Sequence, residues 1–143
     1  SAMITAAQRI ELLSRVPLFS GVSKGTLRRL ASLGRETIHE SGKAIVQEGR
    51  TAHALHVIVE GTATVRVKNR VVAHLEPGDF FGEIALLDKG LRAGTVTADT
   101  RVLTLAVEGA AVRGLVESDS RLALHLLAHL AAKVRELDRR LFD

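Results

Sequence analysis

The chain has no cysteine, no tryptophan and no tyrosine, and its aromatic content is four phenylalanines, 3% of 143 residues. Without cysteine there are no disulfides, no thiolate metal sites and no cysteine-ligated iron–sulfur clusters. That composition fits a cytosolic protein. So few aromatic rings argue against single-stranded nucleic-acid binding, which stacks bases on aromatic platforms. No apolar run approaches the about 18 residues of a membrane-spanning helix, and the N-terminus lacks the apolar core of a signal peptide. Ser1-Ala2 before Met3 reads as a remnant of expression, with Met3 the natural start or a boundary, and is set aside.

What is present is an aliphatic core. Apolar residues make up 46%, enough to bury a core at this length, and one domain over 3–143 is expected. Lys plus Arg is 20 and Asp plus Glu is 16, so the net charge of +4 favours an anionic ligand. The basic residues are dispersed except at Arg135, Arg139 and Arg140, which read as a solvated helix face.

The pattern runs helix, strands, helix. Thr5-Ala6-Ala7-Gln8 is a capping box, followed by a short helix to about Leu13 that Pro17 ends. Ser23 caps a second helix with Leu27, Leu30 and Ala31 on one face and Gly34 at its close. This helical lead spans 3–34. From 35 to 107 the period is two. Leu55, Val57 and Val59 alternate with His56, Ile58 and Glu60, and Ala63, Val65 and Val67 with Thr64, Arg66 and Lys68, as in half-buried strands. Turn signals recur at Ser41-Gly42, Glu48-Gly49, Glu60-Gly61, Lys68-Asn69 and Pro77-Gly78. A further strand pair is predicted at Gly94–Ala98 and Arg101–Val107. Many short strands with regular turns predict a mainly β jelly roll, a double-stranded β-helix with flanking helices.

Residues 108–143 return to helix. Ala110 to Val116 reads as a short one, and Ser118, Asp119 or Ser120 caps a long one of roughly 33 Å. Ala123, Leu127, Leu130, Val134, Leu137 and Leu141 are spaced alternately four and three residues apart, an unbroken apolar seam. Leu126 offers a second apolar edge. The first half of the helix is expected to dock on the roll and the second half to pair with another copy, giving a homodimer through 123–141.

The densest chemical signal lies at 80–96. It follows the turn Glu76-Pro77-Gly78-Asp79. Gly82 lets the backbone come close to a ligand. The segment Glu83 to Leu87 is expected to form one to two turns of helix, whose first-turn N–H groups would point at an anion. Arg92 adds a permanently charged fork suited to phosphate oxygens. Glu83 would repel a phosphate, but its carboxylate accepts a hydrogen bond from a sugar hydroxyl or helps hold Arg92. The loop therefore reads as a sugar-phosphate site. Taken singly, these residues are a turn, a first-turn carboxylate and a surface charge; their order and spacing make the site.

Phe81-Gly82-Glu83-Ile84-Ala85-Leu86-Leu87 and Arg92-Ala93-Gly94-Thr95-Val96 closely resemble the phosphate-binding cassette of the cyclic-nucleotide-binding domain family. That family includes catabolite-activator-type regulators, protein kinase A regulatory subunits and cyclic-nucleotide-gated channels. Val16 to Ser23 resembles its helical lead, and Gln47-Glu48-Gly49, Ile58-Val59-Glu60-Gly61 and Leu75-Glu76-Pro77-Gly78-Asp79 resemble its strand landmarks. The resemblance implies that backbone N–H groups from Gly82, Glu83, Ile84 and Ala85 bind the cyclic phosphate. It implies Glu83 on the ribose 2′-hydroxyl, Arg92 on the charged phosphate oxygen and Ala93 offering its N–H. Alanine at 93, where a hydroxyl often favours cGMP, leans towards cAMP as the ligand, with cGMP the alternative. A base lid on the last helix is implied, with Lys133, Arg135, Leu137 and Asp138 as candidates. The sequence departs from the family pattern at Arg50, His53 and His56 and at Leu91, where proline is usual.

Two rivals stand beside this reading. A cupin-like metal enzyme would need converging ligands from His39, His53, His56, His74, His125 and His129. His53 and His56, three apart on one presumed strand, would point to opposite faces, and His125 with His129 gives only two ligands. No nucleophile elbow appears either, so no enzymatic role and no cofactor are expected. A β-roll dimerisation module without ligand is the other rival. A helix-turn-helix does not fit before Asp143, so direct DNA binding is not expected; either the natural chain continues into an output domain, or it is a lone sensor, or its output domain is of another kind.

Overall fold

The computed structural model describes residues 4–51, 53–82 and 90–142, with Leu141 and Phe142 by backbone alone. Thr5 Oγ1 accepts from Gln8 N at 3.1 Å and Gln8 Oε1 from Thr5 N at 2.7 Å, closing the capping box that starts helix α1, Ala6–Ser14. Pro17 opens a 3-10 turn over Pro17–Phe19. Ser23 caps α2, Lys24–Leu33, by accepting from Thr26 N.

Eight strands follow among the described residues: β1 Arg35–His39, β2 Ala44–Val46, β3 Ala54–Glu60, β4 Ala63–Val67, β5 Arg70–Leu75, β6 Phe80–Phe81, β7 Thr95–Ala98 and β8 Val102–Glu108. They form an antiparallel β-roll of two sheets, ordered β1-β8-β3-β6 and β2-β7-β4-β5. Lys68 and Asn69 both have positive φ and make the tight hairpin between β4 and β5. Helices α3, Gly109–Ser118, and α4, Ser120–Phe142, close the chain.

Two strand expectations need correction. β7 and β8 are present but not paired with each other: β7 joins β2 and β4, whereas β8 joins β1 and β3. The turn at 99–101 carries the chain from one sheet to the other. β3 is not half-buried either, since residues 54–58 are all buried. Leu55 and Val57 pack with Leu105 and Val107 against the helices, while Ile58 packs with Val102, Phe81 and Val96 inside the roll. A sheet covered on both faces buries both halves of its alternation.

Asp119 starts α4. Its Oδ1 accepts from Arg121 N and Leu122 N, and its Oδ2 accepts from Thr26 Oγ1 at 2.8 Å, tying α4 to α2. The Thr26 hydroxyl, with the Leu122 and Arg121 amides, holds the Asp119 carboxyl below the ordinary carboxylate range. The helix docks through Leu122 and Leu126, both buried, and His125 Nδ1 donates to Leu18 O at 3.1 Å. The docking edge is thus the one marked by Leu126, not the seam. Of the seam, Leu130 is partly buried, but Leu127, Val134 and Leu137 are 62%, 56% and 56% exposed. The side chain of Leu141 lies outside the described residues.

Gly34 ends α2 with extended backbone, so conformational freedom is not its purpose. A Cβ there would come within 2.6 Å of Leu105 Cδ1, in a side chain with no exposure. Gly34→Ala is expected to destabilise the domain by about 1–3 kcal/mol through overpacking. Urea unfolding monitored by circular dichroism measures this; an unchanged midpoint would show that helix and sheet separate freely there.

Candidate functional site

Arg92 is fixed from both ends. Its backbone pairs with the loop after β2: Arg92 N donates to Arg50 O at 2.8 Å, Gly49 N donates to Arg92 O at 2.9 Å, and Thr51 bridges Leu91. The side chain turns inward, 7% exposed, and Nη2 donates to Ala54 O at 2.8 Å at the start of β3. Gly82 lies against it with φ of +98°. A Cβ at Gly82 would collide with Arg92 Nη1 and lie 2.9 Å from Ala54 O. Only glycine allows both that backbone angle and that approach.

A cavity of about 430 Å³ opens beside them. Val46, Val65, Val67 and Val96 of the second sheet form an apolar wall, with Phe80 and Phe81 beside Gly82, Arg92 and Ala93. Lys133, Glu136, Leu137 and Arg140 of α4 close the other side. Its size is that of a small-molecule site, apolar with few polar groups. A permanent cation out of water in an apolar cavity suits a ligand with an apolar body and one anionic group.

A family model described as "Cyclic nucleotide-binding domain" matches residues 22–119. The chain belongs to that family. A cAMP-dependent protein kinase regulatory subunit from Yarrowia lipolytica is 38% identical over 101 residues, 68% of this chain and 27% of that protein. The catabolite activator protein of Thermus thermophilus superposes with a TM-score of 0.80 at 30% identity, over 87% of this chain and 61% of that one. The regulatory domain of Toxoplasma gondii PKA, crystallised with cAMP, gives 0.80 at 22% identity over 90% and 50%, a likeness of fold. The chain spans less than a third of the length of the curated relatives it matches. The family is one of sensors, not of enzymes. No helix among the described residues is long and apolar enough to cross a membrane.

Within this cyclic nucleotide-binding domain, the structure brings Gly82, Arg92 and Ala93 together at the cavity. Glu83, Ile84 and Ala85 lie outside the described residues. Of the lid candidates, Lys133 and Leu137 line the cavity; Arg135 and Asp138 do not. Glu136 and Arg140 line it and were missed, although 133, 136, 137 and 140 share one helical face. Arg140 was hidden in what reads as a solvated basic cluster. Its Nε lies 3.4 Å from Glu136 Oε1, and Arg139 Nη2 lies 2.8 Å from Glu136 Oε2.

The histidines are dispersed, and among the described residues no three His, Cys, Asp or Glu side chains gather as metal ligands would. His53 and His56 do not face opposite ways. His53 precedes β3, and both line a second cleft of about 410 Å³ with Arg35, Arg50, Arg92 and Glu108. His56 is 8% exposed and stacks on Phe81 with centroids 5.0 Å apart and planes 7° apart.

Burial, then the positive charges of Arg92, His39 and Arg35, push the His56 imidazole down to about 4. The unfolded chain takes up this proton near 6.5, well before the folded domain does. Stability is therefore full above pH 6.5 and falls as the pH drops from there to about 4, by about 3 kcal/mol in all. Denaturant midpoints across that range measure it. A His56→Gln domain is expected to show a visibly shallower loss; an identical slope would assign the acid sensitivity to other groups.

Proposed function

We propose that this domain is a cAMP sensor. The cyclic phosphate sits on Arg92 and the backbone N–H groups of Gly82 to Ala85, and the purine lies between the valine wall and the Lys133–Arg140 face of α4. The observation that carries this reading is the buried Arg92 in the lining of an apolar cavity whose other side is formed by α4. Lys133 and Arg140 at the roof favour entry of an anion. Ala93 carries no hydroxyl for a guanine amino group, which supports cAMP over cGMP. Glu83 takes the ribose 2′-hydroxyl.

Occupancy is transmitted through α4. Phe80 of the cavity wall meets His129 of α4 with ring centroids 4.6 Å apart, and Leu137 belongs both to the cavity roof and to the exposed seam. A nucleotide that binds better with the roof closed shifts α4 by that difference in affinity. Leu127, Val134 and Leu137 support a homodimer through the seam, whose pairing the nucleotide then alters. Residues 3–143 act as one sensing domain in the cytoplasm, with the output supplied by another domain or partner.

Calorimetric titration with cAMP and cGMP tests the site. Saturable binding with cAMP the tighter ligand is expected. Arg92→Ala is expected to weaken cAMP by at least about thirtyfold, because it deletes a buried charge partner, while the circular dichroism spectrum is unchanged. Equal affinity in that variant would remove Arg92 from the site, and no heat with either nucleotide would leave a dimerisation module.

A further inference from the structure

A line of polar side chains crosses the inside of the roll. His39 and Thr37 stand on β1, Thr104 on β8 and His56 on β3. His39 Nε2 is 3.0 Å from Thr37 Oγ1, Thr37 Oγ1 is 2.6 Å from Thr104 Oγ1, and Thr104 Oγ1 is 3.2 Å from His56 Nδ1. Register sets Thr37 opposite Thr104, with His56 on the diagonal. Thr104 is fully buried, His56 is 8% exposed, and His39 is half-buried at the outer end. The middle of the line is closed to water, whereas its two ends are not.

Each hydroxyl has one proton to donate, and a neutral imidazole has one donor nitrogen and one acceptor. Two hydroxyls between two imidazoles can therefore be satisfied in two senses only. In the first, His39 Nε2 accepts, both hydroxyls donate towards it, and His56 donates from Nδ1–H. In the second, His39 Nε2–H donates, both hydroxyls turn round, and His56 Nδ1 accepts. Neutral His56 then carries its proton on Nε2, exchanged with solvent through the cleft. A proton taken up by His39 occupies Nε2 and selects the second sense.

The far side of His56 matters because of its neighbours. His56 lines the second cleft with Arg92, and its stacking partner Phe81 directly precedes Gly82. Nδ1 is turned to Thr104, so Nε2 is the nitrogen left for the cleft that His56 shares with Arg92. In the first sense it carries a lone pair, an acceptor that competes with an incoming anion for the guanidinium. In the second it presents an N–H, and the acceptor is gone. We propose that His56 is a positioning residue for the anion site at Arg92, its tautomer set by His39 through Thr37 and Thr104, so that anion affinity rises when His39 gains a proton. The proposal rests on Arg92 being the anion site of the function given above.

The other charges facing the line are known. Arg35, Arg50 and His53 share the cleft with His56 and Arg92, and its carboxylate, Glu108, lies 3.6 Å from Arg35. Next to His39, Glu40 pairs with Arg101 at 3.4 Å. Burial holds His39 below its usual 6.5, so its titration falls on the acid side of neutrality. A charge on His39 also attracts an anion directly, with the same sign of effect. The hydroxyls separate the two routes, because removing one cuts the line and leaves both imidazoles in place.

Two measurements test the proposal. Nitrogen NMR of the histidine-labelled, nucleotide-free domain follows the His39 charge and the His56 tautomer together from about pH 7.5 down through the His39 titration. His56 is expected to move from Nδ1–H to Nε2–H as His39 titrates. Over the same range, cAMP titrations are expected to tighten several-fold in the wild-type domain. Thr37→Val is expected to keep its affinity near pH 7.5 and to lose both the tautomer change and most of the tightening; Thr37→Ser restores both. A His56 tautomer that ignores His39, or undiminished tightening in Thr37→Val, would overturn the relay. A tautomer change without cAMP binding at any pH would instead overturn the nucleotide reading, and the anion-site role of His56 with it.

Discussion

A guanidinium removed from water is the constraint around which this domain is arranged. Arg92 carries a permanent charge and is 7% exposed. Three stretches of chain hold it there. The loop after β2 grips its backbone through Gly49 and Arg50, the Ala54 carbonyl accepts one of its protons, and Gly82 gives up a side chain so that the chain can pass against it. Each contact comes from a different stretch of sequence, so the folded roll is what makes the site. Desolvation also strengthens the field around that charge, which is what the proposed anionic ligand would meet.

The last helix joins this site to the molecule's exterior. Its first turns are anchored by Asp119, His125, Leu122 and Leu126. Beyond Leu130 it leaves the core and presents one face, with Lys133 and Arg140, to the cavity and another, with Val134, to solvent, with Leu137 at the border of the two. A helix anchored at one end and held over a cavity at the other is suited to moving with occupancy. The polar line through Thr104 brings a second influence, from the half-buried His39, towards the same arginine.

Much of this was legible because it is local. Thr5 with Gln8, Ser23 with Thr26, and the Lys68-Asn69 hairpin are decided within a few residues, and each forms as the sequence predicts. Gly82 and Arg92 were legible through their order and spacing. What was not legible depends on distant pairing. Nothing local shows that β7 and β8 belong to different sheets, or that β3 is covered on both faces. Leu126 and Leu127 are equally apolar, and only the packed roll decides which edge of α4 docks. Glu136 and Arg140 were obscured by a run of charges in which one face turns inward. His53 and His56 were misplaced because one of them lies before the strand begins.

The most direct test of the claim that the Arg92 cavity and its helical roof form one site is amide hydrogen exchange along α4, with and without saturating cAMP, in the wild-type domain and in Arg92→Ala. Slower exchange over 130–140 in the wild type, absent in the variant at the same nucleotide concentration, is the expected result. Exchange in α4 that stays unchanged while cAMP is demonstrably bound would contradict it, and would make the helix a bystander to the site.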